Sequence, residues 1–129
     1  MAGRILVSTL NDDIGVLAVR NGMTGISKAW VNFNGVGTVA IRSSFNVSSI
    51  TDNGTGDYTI NFATALPNAN YSWAIGSYND QAVGSGVNFA TVATSATLPS
   101  TTVLRVRSGA PANGILYDCS YMCVSVFSS

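Results

Sequence analysis

The sequence contains no histidine, no glutamate and a single lysine, Lys28, and charged residues make up only 9% of its 129 positions. These absences argue against catalysis. General acid and base catalysis near neutral pH loses its usual residue when histidine is missing. The carboxylates are limited to Asp12, Asp13, Asp52, Asp57, Asp80 and Asp118, and nothing marks two of them as the inward pair a glycosidase needs. A serine nucleophile has no histidine to act as its base, and Lys28 stands near Trp30 outside any motif. Zinc sites combine Cys and His at close spacing, which two cysteines alone do not supply. Asp52, Asn53 and Asp57 are hard oxygen donors near one another, so a calcium site is conceivable. The glycines between them favour a turn in which Asp side chains bond nearby amides. The expectation is a protein that is not an enzyme and that holds no cofactor and no metal.

Charge is equally uninformative about polyanions. Six basic and six acidic residues cancel, so no field gathers nucleic acid or an anionic membrane surface. No stretch approaches 18 consecutive apolar residues, and the start MAGRILVSTLNDD lacks the apolar run of about 7 to 15 residues of a secretory signal. Neither nucleic-acid binding nor membrane insertion is expected. A chain that is 47% apolar and has no net charge offers little repulsion against association. Much of its surface is expected to be buried against neighbours.

Ser, Thr, Asn, Gly and Val dominate instead, in short β-type runs separated by turn residues. The runs are Lys28 to Phe33, Val39 to Ile50, Asp57 to Thr64, Tyr71 to Tyr78, Val87 to Thr94, Thr101 to Arg107 and Ile115 to Phe127. Asp52-Asn53-Gly54-Thr55-Gly56-Asp57 is the strongest turn cluster among them. This spacing predicts an all-β, antiparallel β-sandwich of about seven to eight strands over residues 28 to 129.

Alternation assigns faces, because a strand has a period of two. Tyr58, Ile60 and Phe62 share one face, as do Tyr71, Trp73 and Ile75. The last run is apolar on both sides, with Tyr117, Cys119, Tyr121 and Cys123 opposite Leu116, Met122, Val124 and Val126. Such a strand belongs in the middle of a sandwich or where a sheet packs on another subunit. Cys119 and Cys123 on one strand would stand roughly 13 Å apart at about 3.3 Å per residue, too far to bridge. Buried thiols are the plain reading, with a pairing between chains as the alternative.

Residues 1 to 27 follow neither period. Ile5, Leu6, Val7, Leu10, Ile14, Val16 and Leu17 form an extended apolar arm interrupted by turn residues. An arm of this kind must lie on the domain, on a sister subunit or on a larger structure, so it is an assembly or docking segment or else an extra edge strand. Trp30 is the first aromatic beyond it and is expected to anchor a core or an interface. The run Tyr78, Asn79, Asp80, Gln81 places an aromatic face beside amide and carboxylate groups, the combination that grips a sugar ring. It is the candidate for contact with host glycan, against the alternative of an ordinary polar connection.

Thr24-Gly25-Ile26-Ser27-Lys28-Ala29-Trp30-Val31-Asn32-Phe33-Asn34-Gly35, followed by Ile41 to Phe62 (IRSSFNVSSITDNGTGDYTINF) and by Ala65 to Tyr71 (ALPNANY), resembles a module of tail fibres and other virion proteins of tailed bacteriophages, particularly those of cyanobacteria and other aquatic bacteria. The resemblance covers about residues 24 to 75. It implies a β-sandwich, commonly a homotrimer, located in the virion, made in the host cytoplasm and associated with attachment to surface carbohydrate. No long shaft is expected ahead of the module. A capsid decoration protein, a head fibre or a baseplate component therefore stands beside the tail fibre or receptor-binding tip, with other virion proteins as partners.

Overall fold

The computed structural model describes residues 3, 9–11, 16–18, 25–78, 89–92, 98–110 and 114–128, with the backbone alone for 9–11, 16–18 and 89. Among the described residues every extended element is a strand. A short antiparallel pair near the amino terminus joins β1 (Thr9–Asn11) to β2 (Val16–Ala18), with Leu10 opposite Leu17. Eight strands follow: β3 (Ala29–Asn34), β4 (Ala40–Phe45), β5 (Val47–Gly54), β6 (Asp57–Phe62), β7 (Ser72–Tyr78), β8 (Phe89–Val92), β9 (Val103–Gly109) and β10 (Tyr121–Phe127).

They form two antiparallel four-stranded sheets, ordered β4-β3-β10-β7 and β5-β6-β9-β8. The sheets pack face to face because each of the central strands alternates. Ala29, Val31 and Phe33 of β3 and Met122, Val124 and Val126 of β10 point inward from the first sheet. Tyr58, Ile60 and Phe62 of β6 and Leu104 and Val106 of β9 meet them from the second. The Phe33 and Tyr58 rings touch edge to face across the gap, 5.2 Å between centroids. Burying a side chain of this size stabilises the fold by about 1.5–3 kcal/mol. Leu66 and Tyr71, on the connection from β6 to β7, close one end of the core, where Tyr71 packs on Phe62 and donates its hydroxyl to the Ser100 carbonyl. Burial pushes the Tyr71 phenol up to about 12.

Two strand assignments made from sequence change. Val39 to Ile50 reads as one run, but it is broken at Asn46, whose φ of 55° lies in the left-handed region that Asn tolerates. Here the chain leaves one sheet for the other. The Asn46 amide donates to the Lys28 and Thr64 carbonyls, and its oxygen accepts from the Thr64 amide at 2.7 Å, which stitches the crossing to β3 and to the end of β6. The last run also starts later than its composition suggests. Residues 115 to 120 cross between sheets, with only Leu116 bridged to Gly109, and β10 begins at Tyr121. Cys119 is therefore outside the strand and buried, whereas Cys123 sits on β10 and is exposed.

The glycine-rich cluster between β5 and β6 does form the turn. Asp52 accepts from the Gly54 amide at 2.9 Å. Gly56 has a φ of 63°, and a Cβ there would run into the backbone of Ser108 and Tyr117. Only glycine lets this turn lie against the end of β9.

Candidate interaction surfaces

Each sheet has one face in the core and one face outward, and the register shows which side chains share each outward face. On the sheet β5-β6-β9-β8 these are Ser49, Thr51 and Asn53, then Asn61, Thr59 and Asp57, then Val103, Arg105 and Arg107, with Thr91 on the edge strand. Hydroxyls, amides and ions suit an outward strand face, and here they bind one another. The Asn61 amide donates to the hydroxyls of Ser49 at 3.1 Å and Thr51 at 3.0 Å. The Asn53 amide donates to the Thr59 hydroxyl and to Asp57 Oδ1.

Asp57 is the centre of this face. Arg105 grips it through two hydrogen bonds, Nε to Oδ1 at 2.7 Å and Nη2 to Oδ2 at 2.9 Å, and Arg107 Nε reaches Oδ2 at 2.7 Å. Bidentate guanidinium pairing of this kind is geometrically demanding and strong. Burial pushes the Asp57 carboxyl up, but the hydrogen bonds and positive charges of Arg105 and Arg107 outweigh it and hold the group below the ordinary carboxylate range. Asp57 in turn raises Arg105. Both carboxylate oxygens are occupied, so Asp57 is engaged as a tie between β6 and β9. A second carboxylate, Asp118, accepts from the Gly56 amide and the Tyr58 hydroxyl, each at 2.7 Å. Burial and then the Asp118 hydrogen bond push the Tyr58 phenol far upward. Among the described residues no group of three or more His, Cys, Asp or Glu side chains comes together as a metal site would require.

The outward face of β4-β3-β10-β7 is made differently. One row across it is Phe45, Trp30, Ser125 and Ala74, and the next is Ser43, Asn32, Cys123 and Gly76. Tyr121 lies opposite Tyr78 beyond them. Four aromatic side chains stay open to solvent here, Trp30 at 38%, Phe45 at 53%, Tyr121 at 44% and Tyr78 at 59% exposure. Tyr78 and Tyr121 pack edge to face with centroids 6.0 Å apart. A bulge in β4 pushes Arg42 outward, where its guanidinium lies 4.0 Å above the Tyr121 ring and donates to Asn32 Oδ1. Beside Phe45 the apolar surface continues into an open hollow of about 360 Å³ lined by Ile26, Lys28, Phe45, Leu66 and Pro67.

Of the side chains singled out from sequence, Trp30 and Tyr78 share this aromatic face, at different strands and opposite ends. Trp30 is therefore on an outward surface and outside the core. Asn79, Asp80 and Gln81, and likewise Ile5, Leu6, Val7 and Ile14, lie outside the described residues. Leu10, Val16 and Leu17 are placed by backbone alone, on β1 and β2. Sequence reasoning missed Arg42, Phe45 and Tyr121 as neighbours of Trp30 and Tyr78. The signal was present only for Tyr121, which alternates with the inward residues of β10. Compared with protein-family models, with curated proteins and with solved structures, the chain matches none.

Proposed function

We propose that this chain is a non-enzymatic structural protein of a tailed-bacteriophage particle, a tail fibre or receptor-binding tip that assembles as a homotrimer and attaches to host surface carbohydrate. The observation that carries the reading is the run Thr24 to Tyr71, which resembles virion modules and supplies β3 to β6 of the sandwich. Two physical features support it. The net charge of zero leaves little to oppose assembly, and an aromatic sheet face remains open on the single chain. The absence of histidine and glutamate supports a building role over a catalytic one.

Antibody raised against the purified chain and located on particles by immunogold microscopy tests this reading. Label at the tail tip, with soluble protein competing for adsorption to the host, is the expected result. Label spread over the head would transfer the chain to capsid decoration. Its absence from purified particles would refute a virion role altogether.

A further inference from the structure

From the aromatic outward face of β4-β3-β10-β7 we infer the contact surface between copies of this chain, with a second copy as its occupant. The inference rests on the proposed assembly and deepens it by naming the surface.

Area favours this occupant. Aromatic side chains contribute about 150–250 Å² each when covered. With the exposures of Trp30, Phe45, Tyr121 and Tyr78, the four rings leave roughly 400 Å² of aromatic surface open. That is about half of the roughly 800 Å² each partner contributes to a standard interface. Phe127, Ser125, Cys123, Asn32 and Ala74 lie between or beside the rings on the same outward face and can supply the rest. The spread points the same way. The four rings sit on all four strands, a width of about 14 Å at roughly 4.8 Å between neighbours, whereas a sugar ring covers one aromatic side chain.

Composition and charge agree. Interface cores are enriched in aromatic residues and arginine and depleted of lysine and carboxylates. Among the described residues, the four strands of this face carry no Asp and no Lys, and their one charge, Arg42, is held over Tyr121, with Lys28 at the margin beside Phe45. Three such faces can meet around a common axis without burying an unpaired carboxylate. The opposite outward face has its ions and amides already engaged with one another. Gly76 and Cys123 stand side by side on adjacent strands between the rings. A Cβ added at Gly76 meets no atom within 4 Å, so that position is a place to obstruct the face without disturbing the fold.

Sedimentation of the full chain at micromolar concentration tests the inference with Gly76→Arg and, on the other outward face, Thr51→Arg. Wild type and Thr51→Arg are expected to share one oligomeric mass, while Gly76→Arg falls to the 13.4 kDa of a single chain with an unchanged far-ultraviolet circular dichroism spectrum. Should Gly76→Arg fail to fold, Tyr78→Asp at the exposed end of β7 makes the same test. An oligomer that persists in the folded obstructing variant would overturn the face while leaving assembly intact. A wild-type chain that stays monomeric would overturn both, and a wild-type monomer that retains a glycan through Tyr78 would make the face a sugar site.

Discussion

The two outward faces of the sandwich are built on the same backbone pattern and differ in where their side chains find partners. On β5-β6-β9-β8, Asp57 is held by Arg105 and Arg107, and Asn61 and Asn53 bond neighbouring hydroxyls. On β4-β3-β10-β7, Trp30, Phe45, Tyr121 and Tyr78 stand open, with one cation lying over one ring. A polar face in water loses little by being exposed and gains by satisfying itself. An aromatic face gains only when something removes it from water. The contrast predicts that substitutions on the first face change the stability of the single chain, and substitutions on the second change what the chain associates with.

The largest effect should come from Asp57→Ala. Removing the carboxylate leaves Arg105 and Arg107 facing each other without their counter-ion. Breaking a fully buried pair this way costs about 3–5 kcal/mol, and the partial exposure of both arginines reduces the expected loss to about 2–3 kcal/mol. Urea denaturation measures it, and a loss below about 0.5 kcal/mol would mean that the network is a surface ornament. Acid should reach the same group more gradually. The Asp57 carboxyl is held below its ordinary value of 3.8, so its stabilisation is fully present above that pH. The stabilisation is then lost as pH falls through the lower folded value. Denaturation midpoints measured down through this range should fall, and Asp57→Asn should fall less steeply over the same interval. Asn61→Ala, which removes two side-chain bonds to hydroxyls that water can replace, should cost about 1 kcal/mol. Tyr78→Ser, on the aromatic face, should alter the stability of the dissociated chain least, within about 0.5 kcal/mol, while lowering the oligomer's resistance to dilution. A larger stability loss from Tyr78→Ser than from Asn61→Ala would break the comparison.

Much of the fold was legible because period-two alternation survives in the central strands. Tyr58, Ile60 and Phe62 share a face in the sequence and the same face lines the core. Asn46 was not legible as a boundary, since its left-handed conformation is tolerated rather than demanded by its residue type. In β10 both sides are apolar, so alternation gave two faces without saying which is inward. Packing decides it, burying Met122, Val124 and Val126 and leaving Tyr121 and Cys123 outward. The network of Asp57 with Arg105 and Arg107 was hidden for another reason. Its members are 48 and 50 residues apart, and only the register of β6 on β9 brings them together. Arg42, Phe45 and Tyr121 beside Trp30 and Tyr78 depend in the same way on strand order, which a single sequence does not reveal.

Cys123 offers the most direct test of the open aromatic face, because its thiol is exposed on that face while Cys119 is buried and serves as a silent internal reference. The rate of maleimide labelling at Cys123 should be followed as the native protein is diluted through its association range, with labelled positions assigned by mass spectrometry. If copies meet through this face, labelling is slow in the concentrated, assembled protein and accelerates as the oligomer dissociates. An oligomer in which Cys123 reacts as fast as in the dissociated chain would contradict the account.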